Sequence, residues 1–302
     1  MPELPEAEVA AKQLRQRVIG ATVQDCWIGR DDIVREGLSS VSWYRQATIT
    51  AVERRGKSVI LRMVRDRCSR FLVAELGMTG LLLFRKTATK HPQHTHFTLY
   101  LQGGDEPEIR YWNPRRFGRL SLLDEAGLEQ YTARRFGHDP LSISLQQFRQ
   151  LLGATRTRLK SLLMHQQVIA GIGNIYANEI LFRAGLHPDQ AANQVEEGVV
   201  AELHGIMGKV LREAIALGGS SVRDYFAPDG AEGQYKQRHL VYAKTGQPCP
   251  NECGSIIRRS IGERSSFFCP TCQPRRRNRS ASRNRSQVGH VKVKRQRTFQ
   301  AV

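Results

Sequence analysis

The sequence predicts an α+β fold: an antiparallel β domain led by one helix, a helix-rich second domain, and a small hairpin that needs a staple. Three observations predict it. Short apolar runs broken by Gly, Asp, Asn and Pro clusters fill the stretch from Ala21 to about Leu123. The apolar spacing turns helical after Pro140. Four cysteines crowd into the segment after Gln247, which is too short for an apolar core of its own. A length of 302 residues agrees with two folded units at about 150 residues each.

The elements follow in order. Leu4 to Val18 reads as a helix, with Pro5 suited to its first turn, Glu6 and Glu8 at the positive end of the dipole, and Gly20 behind it. Ser58 to Met63, Arg70 to Ala74, Leu81 to Phe84, Phe97 to Leu101 and Arg119 to Leu122 read as strands. Helical spacing then covers Leu145 to Leu152, Arg158 to Gln167, Ile175 to Ala184 ahead of Gly185, and Glu196 to Leu217 ahead of Gly218 and Gly219. The expected units are 1–135, 136–240, 241–273 and a tail at 274–302. No internal repeat is visible.

Charge narrows the range of partners. Lys and Arg number 46 against 28 Asp and Glu, a net +18, which favours polyanions over acidic small molecules. The excess is uneven. Gln273 to Val302 holds ten Arg and Lys and no acidic residue, leaving +8 for the rest of the chain. With almost no large apolar residues this tail cannot offset its ordering entropy and reads as disordered. Its role is either non-specific phosphate binding or solubilisation. Apolar stretches fall short of the roughly 20 residues of a bilayer span, and no basic, then purely apolar, leader opens the chain. The expected compartment is therefore the cytosol.

Cys249, Cys253, Cys269 and Cys272 form C-x3-C and C-x2-C pairs around a fifteen-residue insert. Two close pairs on a hairpin bring four thiolates to one tetrahedral Zn2+, and Ile256 to Phe268 alternates well enough for the two strands. Disulfide pairing is the alternative, disfavoured where thiols are kept reduced. Cys26 and Cys68 lie in β-type runs and read as packing residues.

The other end of the chain suggests a reagent. Removal of Met1 leaves Pro2 as a secondary amine followed directly by the Glu3 carboxylate. A terminal amine titrates near 7.7–8.0 against about 10.4 for lysine, so far more of it is free base at neutral pH, and an adjoining helix start favours that form. Attack on a sugar C1′ would give an iminium ion that acidifies C2′–H and permits strand elimination, with Glu3 placed to move protons. A helix entry is the plainer reading of the same two residues.

Five ordered motifs decide between them. Pro2-Glu3-Leu4-Pro5-Glu6, Leu76-Gly77-Met78-Thr79-Gly80, Asn113-Pro114-Arg115-Arg116-Phe117-Gly118, Gly171-Ile172-Gly173-Asn174-Ile175-Tyr176-Ala177 and the cysteine cluster closely resemble the formamidopyrimidine-DNA glycosylase family from Pro2 to about Gln273. The resemblance implies an N-terminal β-sandwich, a helix-two-turn-helix domain and a zinc β-hairpin. It implies a bifunctional glycosylase and AP lyase of base excision repair that excises oxidised purines through Pro2 and nicks the strand by β,δ-elimination. The partner is double-stranded DNA containing oxidised bases, the working unit a monomer, and the location the nucleoid.

The resemblance also assigns residues. Pro2 is the nucleophile and Glu3 its acid/base partner, with Lys57 and Arg264 assisting elimination. Met78, Arg115 and Phe117 match the set that fills the hole left by an everted nucleotide, a task suited to apolar, guanidinium and aromatic groups. Met78 and Phe117 could otherwise be core. His94 and Arg156 align with DNA contacts, and Lys160 and Asn174 with phosphate ligands. After Gly171 and Gly173, backbone N–H groups and the Asn174 amide could converge on one phosphate. The loop Ser220, Ser221, Val222, Arg223, Asp224, Tyr225 resembles the lid over everted 8-oxoguanine, with the Ser220 carbonyl facing N7–H and the amides of Val222 to Tyr225 facing O6.

Three departures stand out. The first cysteine pair has three intervening residues where the family commonly has two, which bears on the placement of Arg264. Thr79 occupies a position that varies in the family. The basic tail extends past the usual family end. The rival readings are an endonuclease VIII-like enzyme for oxidised pyrimidines and a non-catalytic DNA-binding relative.

Overall fold

The computed structural model describes residues 2–222, 225–262 and 264–275. Helix α1 (Leu4–Val18) opens the fold and buries Leu4, Ala7, Ala10, Ala11, Leu14 and Val18. Gly20, at φ +87°, turns the chain and donates its N–H to the Ile49 carbonyl at 2.8 Å.

Nine strands follow: β1 (Thr22–Ile28), β2 (Val34–Glu36), β3 (Thr48–Arg55), β4 (Ser58–Arg65), β5 (Cys68–Glu75), β6 (Leu81–Phe84), β7 (Thr95–Gln102), β8 (Glu108–Trp112) and β9 (Arg119–Leu123). They hydrogen-bond in the order β2-β9-β5-β4-β3-β1-β7-β8-β6. Strands β1 and β3 share one paired position, Thr22 opposite Thr48, and at this weak seam the sheet folds back on itself. Leu61, Leu72 and Leu120 of one limb then face Leu82, Phe97, Leu99, Ile109 and Tyr111 of the other, which makes the domain a sandwich with a shared core. One pair departs from the antiparallel expectation: β2 runs parallel to β9.

Helix α2 (Glu125–Arg135) lies between the two domains, where sequence spacing shows no element. It starts on an Asp124 cap that accepts the Gly127 N–H at 2.8 Å. Tyr131 is its one buried residue, and its hydroxyl donates to Glu75 at 2.6 Å. A single apolar anchor leaves almost no periodic signal.

The second core gathers α3 (Leu145–Gly153), α4 (Leu159–Leu163), α5 (Asn174–Arg183) and α6 (Glu197–Ala216). The helix expected over Arg158 to Gln167 is shorter, because the chain turns away after Leu163. Gln166 ties this turn together: its amide donates to the Met164 and Ile172 carbonyls (2.7 and 2.9 Å) and its Oε1 accepts the Gly171 N–H (2.9 Å). Strands β10 (Arg258–Ser260) and β11 (Ser266–Phe268) form the expected hairpin, with Arg258 opposite Phe268. Gln273 clamps the hairpin to the helical domain, accepting the Cys269 N–H at 3.0 Å and donating to the Leu186 carbonyl at 2.7 Å. No helix among the described residues is long and apolar enough to cross a membrane.

Of the two remaining cysteines, Cys26 packs against the first core. Cys68 does not: it is exposed at the start of β5, where the tight turn through Asp66 and Arg67 brings the strand end into solvent.

Candidate active site

The two cores meet at the start of α1. Leu4 donates its backbone N–H to the Gly171 carbonyl at 2.9 Å, which places Pro2 and Glu3 against the connection between α4 and α5. The Glu3 carboxylate is wholly buried and accepts the N–H groups of Gly173 (2.8 Å), Ile175 (2.9 Å) and Tyr176 (3.4 Å). These are the unpaired donors of the first turn of α5, and the anion at that helix end is Glu3 itself.

This alters the role expected for the glycines. A methyl group on Gly173 would lie 2.4 Å from the Glu3 carboxyl carbon, and one on Gly171, at φ +109°, would lie 2.7 Å from the Leu4 side chain. Both glycines make room for the incoming amino terminus. Three of the backbone donors expected to converge on a phosphate, those of Gly173, Ile175 and Tyr176, are taken by Glu3.

Pro2 lies on the wall of a cavity of about 510 Å³. Met78, Arg115, Asn174, Val222, Tyr225 and Arg264 share that wall. The volume falls within the range of about 300–1,000 Å³ usual for small-ligand pockets. Residues from the sandwich, the helical domain, the lid segment and the zinc hairpin therefore converge on one space.

Lys57, at the β3–β4 turn, carries a charge that interacts with Glu3, Glu6 and Arg264. Burial pulls its ammonium below the ordinary lysine range; Arg264 adds to that and Glu3 opposes it. Lys160 is buried and donates to the Ser265 carbonyl (2.7 Å) and the Ser266 hydroxyl (3.0 Å) of the hairpin. Burial, reinforced by Arg264, pulls its ammonium down to about 8. Lys160 and Arg264 also line a second, larger cavity of about 880 Å³, with Thr157, Arg158, Ser161 and Asp189. Arg264 thus stands between the two cavities despite the longer spacing of the first cysteine pair. The extra residue is absorbed locally: Glu252 takes φ +53° and donates its N–H to the Cys249 carbonyl at 3.0 Å.

Met78 and Phe117 are exposed, not core, at 36% and 55%. The Arg115 guanidinium lies over the Phe117 ring at 5.0 Å. Their two loops are stitched by Thr79, which donates to the Asn113 side chain (3.0 Å) and accepts the Arg115 N–H (3.2 Å). Gly77, at φ +58°, lets them close up, since a methyl group there would lie 2.5 Å from the Gly118 nitrogen. His94 is half-buried at the start of β7, its ring edge-on to His91, His96 and Trp112. Arg156 is exposed in the turn between α3 and α4 and lines neither cavity.

In the lid segment Ser220 is buried, and its carbonyl accepts the Val222 N–H at 2.8 Å. The carbonyl expected to face a purine N7–H is therefore engaged within the loop. Tyr225 is buried against Leu81, Leu83 and Trp112, which anchors the far end of the lid to the sandwich. Arg223 and Asp224 lie outside the described residues.

Four buried polar side chains hold this arrangement and were not identified as site residues in the sequence. Glu6 accepts the Tyr176 hydroxyl (2.6 Å), the Ser220 N–H (2.7 Å) and the Glu3 N–H (2.8 Å), linking α1, α5 and the lid. Burial, with Glu3 beside it, pushes its carboxyl above the ordinary range. Glu179 accepts three consecutive backbone N–H groups, Leu240 to Tyr242, at 2.8–3.0 Å, fixing the strand of chain that leads to the cavity wall at Tyr242 and Ala243. Arg54 bridges Glu8 (2.8 Å) and Asp139 (2.6 Å) and so pins the sandwich to the helical domain. The fourth is His239, whose Nε2 lies 2.7 Å from the Ser220 hydroxyl. The only available signal was the i, i+3 spacing of Glu3 and Glu6; the other contacts join residues too far apart in sequence.

His239 makes a pH prediction. Burial, with Lys244, Lys236 and Arg183 nearby, pulls its pKa to about 4, below the usual 6.5. Between those values the unfolded chain binds the proton and the folded chain does not. Stability therefore falls as pH drops from about 6.5 to about 4, by up to about 3 kcal/mol. Urea midpoints at pH 7 and pH 5 should show this fall, and His239→Gln should flatten it; an equal fall in the variant refutes the assignment.

The sulfurs of Cys249, Cys253, Cys269 and Cys272 lie within 4.8 Å of one another. The surroundings suit thiolates: the Cys272 N–H points at Cys269 Sγ (3.4 Å) and the Asn251 amide at Cys272 Sγ (3.5 Å). Four sulfurs so placed fit one structural Zn2+, which cross-links a hairpin whose apolar cluster is small.

Sandwich, helical domain and zinc hairpin, with basic cavities where they meet, define a zinc-containing protein of the nucleic-acid-processing class. Comparison with known proteins makes the assignment specific. Residues 1–120 match the formamidopyrimidine-DNA glycosylase N-terminal domain, 136–225 its H2TH domain, and 246–275 the zinc finger found in FPG and IleRS. The formamidopyrimidine-DNA glycosylase of Heliobacterium modesticaldum is 37% identical over 90% of this chain and all of its own length. That of Thermomicrobium roseum is 39% identical over 91% and 99%. The Lactococcus lactis Fpg, solved in complex with abasic-site-containing DNA, superposes with a TM-score of 0.80 at 30% identity over 90% of this chain and all of that one. The chain belongs to the formamidopyrimidine-DNA glycosylase family.

Proposed function

We propose that this chain is a bifunctional glycosylase and AP lyase of base excision repair, acting as a monomer on duplex DNA that carries oxidised purines. Family membership supports the glycosylase and lyase activities. The observation that carries the residue assignment is Pro2 on the cavity wall, directly followed by a Glu3 locked onto the start of α5. The Pro2 nitrogen attacks C1′, the glycosidic bond breaks and the base leaves with the amine proton. The C1′–O4′ bond then opens, O4′ taking a proton, and the resulting iminium acidifies C2′–H; loss of that proton expels the 3′ phosphate, and a second elimination expels the 5′ phosphate. Glu3 moves protons, while Lys57 and Arg264 hold phosphate through elimination. Asn174 and Lys160 add phosphate contacts, with His94 and Arg156 further along the duplex. Met78, Arg115 and Phe117 occupy the opened stack. Ser220, Val222, Arg223, Asp224 and Tyr225 close over the base.

The units divide at 1–135, 136–240, 241–273 and 274–302, and the enzyme works in the cytoplasm on the nucleoid. The resemblance of this loop to a purine lid favours purines over the endonuclease VIII-like alternative; the segment is held at Ser220 by Glu6 and at Tyr225 by the sandwich. A panel of duplexes tests this reading. Excision and nicking should be faster on 8-oxoguanine and formamidopyrimidine than on thymine glycol. Preference for thymine glycol supports the pyrimidine reading, and lesion binding with no nicking supports a non-catalytic relative.

A further inference from the structure

One aromatic side chain with no role so far stands where the lid, the His94 turn and the Arg115 loop meet. Trp112 closes β8 directly before Asn113, and it is buried. Its indole packs with Leu81, Leu83 and Tyr225, and lies 6.2 Å from the Phe226 ring at an interplanar angle of 38°. The same indole meets the turn that carries His94: its N–H donates to the His91 carbonyl at 2.8 Å, and the His94 ring stands edge-on at 6.5 Å. Asn113 completes the junction. Its backbone N–H donates to the His94 carbonyl at 2.9 Å, and its side-chain oxygen accepts from the Thr79 hydroxyl and the Arg116 N–H at 3.0 and 3.1 Å. Beyond Phe226 the chain stays on the sandwich, where the Pro228 carbonyl accepts the Phe84 N–H (3.0 Å) and the Thr87 hydroxyl (2.6 Å). It is back at the end of α6 by Gln234 and Tyr235, which donate their N–H groups to the Leu217 and Gly219 carbonyls at 2.8 and 3.0 Å. The lid segment thus leaves the helical domain at Ser220 and reaches the sandwich at Trp112.

We propose that Trp112 is a positioning residue for base excision: it seats the sandwich end of the lid against the turn that carries His94, so that the lid covers an everted base from a fixed end. This role rests on the reading of the 220–225 loop as a lid over the base, and it adds a residue that lies outside all five motifs of the resemblance. An indole suits the task. Its large rigid apolar face packs Tyr225 and Phe226, while its single N–H, bonded to the His91 carbonyl, fixes how the ring is turned. Trp112 does not line the cavity that holds Pro2, so it acts through the lid and not on the reacting atoms. Its removal therefore falls on the step that needs the lid. Excision of a base is that step; nicking at a site that has already lost its base is not.

The unaltered full-length chain is compared with Trp112→Leu, Trp112→Phe, Phe226→Ala and a control in which Val222, Arg223 and Asp224 are all replaced by Gly. Each is assayed in single turnover at saturating protein, on a duplex carrying 8-oxoguanine and on the same duplex carrying a preformed abasic site, with melting temperatures alongside. We expect Trp112→Leu to slow excision about tenfold, less than the roughly 10²-fold of a displaced reacting group, and to leave abasic-site nicking within about twofold. Trp112→Phe keeps a ring against Phe226 and should recover most of the excision rate. Phe226→Ala, at a half-buried position, leaves the sandwich core closed and should show the same split as Trp112→Leu even if that variant fails to fold. Equal slowing of both reactions by the Trp112 and Phe226 variants overturns the proposal, because a merely structural loss falls on both. Unchanged excision in these variants also overturns it. The glycine control separates this proposal from the reading beneath it. Slowed excision in the control with full excision in the Trp112 and Phe226 variants removes the role of Trp112 alone, whereas full excision in the control counts against the lid itself.

Discussion

Gly173→Ala will lower single-turnover base excision by about 10²-fold or more while leaving the protein folded. The added methyl lies 2.4 Å from the Glu3 carboxyl carbon, far inside van der Waals contact. Either Glu3 or the start of α5 must shift, and Glu3 then loses one or more of its three backbone donors. Overpacking of this kind costs about 1–3 kcal/mol in stability. The catalytic loss is of similar size in free energy but falls on the reaction itself, because a misplacement near 1 Å in a reacting group costs about 10²-fold, or about 2.7 kcal/mol. Excision, duplex affinity and melting temperature should be measured together. Glu3→Gln, which keeps the shape of the side chain and removes its charge, provides the comparison. A Gly173→Ala protein that excises at the wild-type rate would show that Glu3 does not need its seat on α5.

Much of this site could be read from the sequence, for local reasons. Helix α1 runs over Leu4–Val18 as its spacing predicts, since Pro5 and Gly20 mark its ends within the segment itself. Four cysteines in two close pairs predict their own meeting. Other features were hidden. The glycines at 171 and 173 read as an approach for phosphate, whereas the groups they admit are Leu4 and Glu3, about 170 residues away. Glu6, Glu179 and Arg54 look like surface charges on their elements, yet each is satisfied by a distant partner: Ser220, the 240–242 backbone and Asp139. Buried charges are held by such pairing, and sequence spacing does not report it. Helix α2 was illegible for the opposite reason, having too little apolar surface to show a period.

Pro2→Gly with Met1 retained will lower strand nicking at 8-oxoguanine by more than about 10³-fold, the scale on which removing a covalent nucleophile acts. Two lysines stand near enough to compete for the role. Lys57 and Lys160 both have ammonium groups pulled below the ordinary lysine range, and a depressed pKa is what an amine nucleophile needs. Position separates them from Pro2. Lys160 donates to Ser265 and Ser266 of the hairpin, and Lys57 sits at the β3–β4 turn. Neither precedes a carboxylate held on a helix start, as Pro2 does. Retained Met1 turns the nitrogen of residue 2 into an amide, whose lone pair is delocalised into the carbonyl, without touching either lysine.

The most direct measurement is peptide mapping by mass spectrometry of the borohydride-trapped complex with 8-oxoguanine duplex. The account predicts a single adduct on the amino-terminal peptide, at Pro2, in chains that have lost Met1. An adduct on Lys57 or Lys160, or nicking by chains shown to retain Met1, would contradict it.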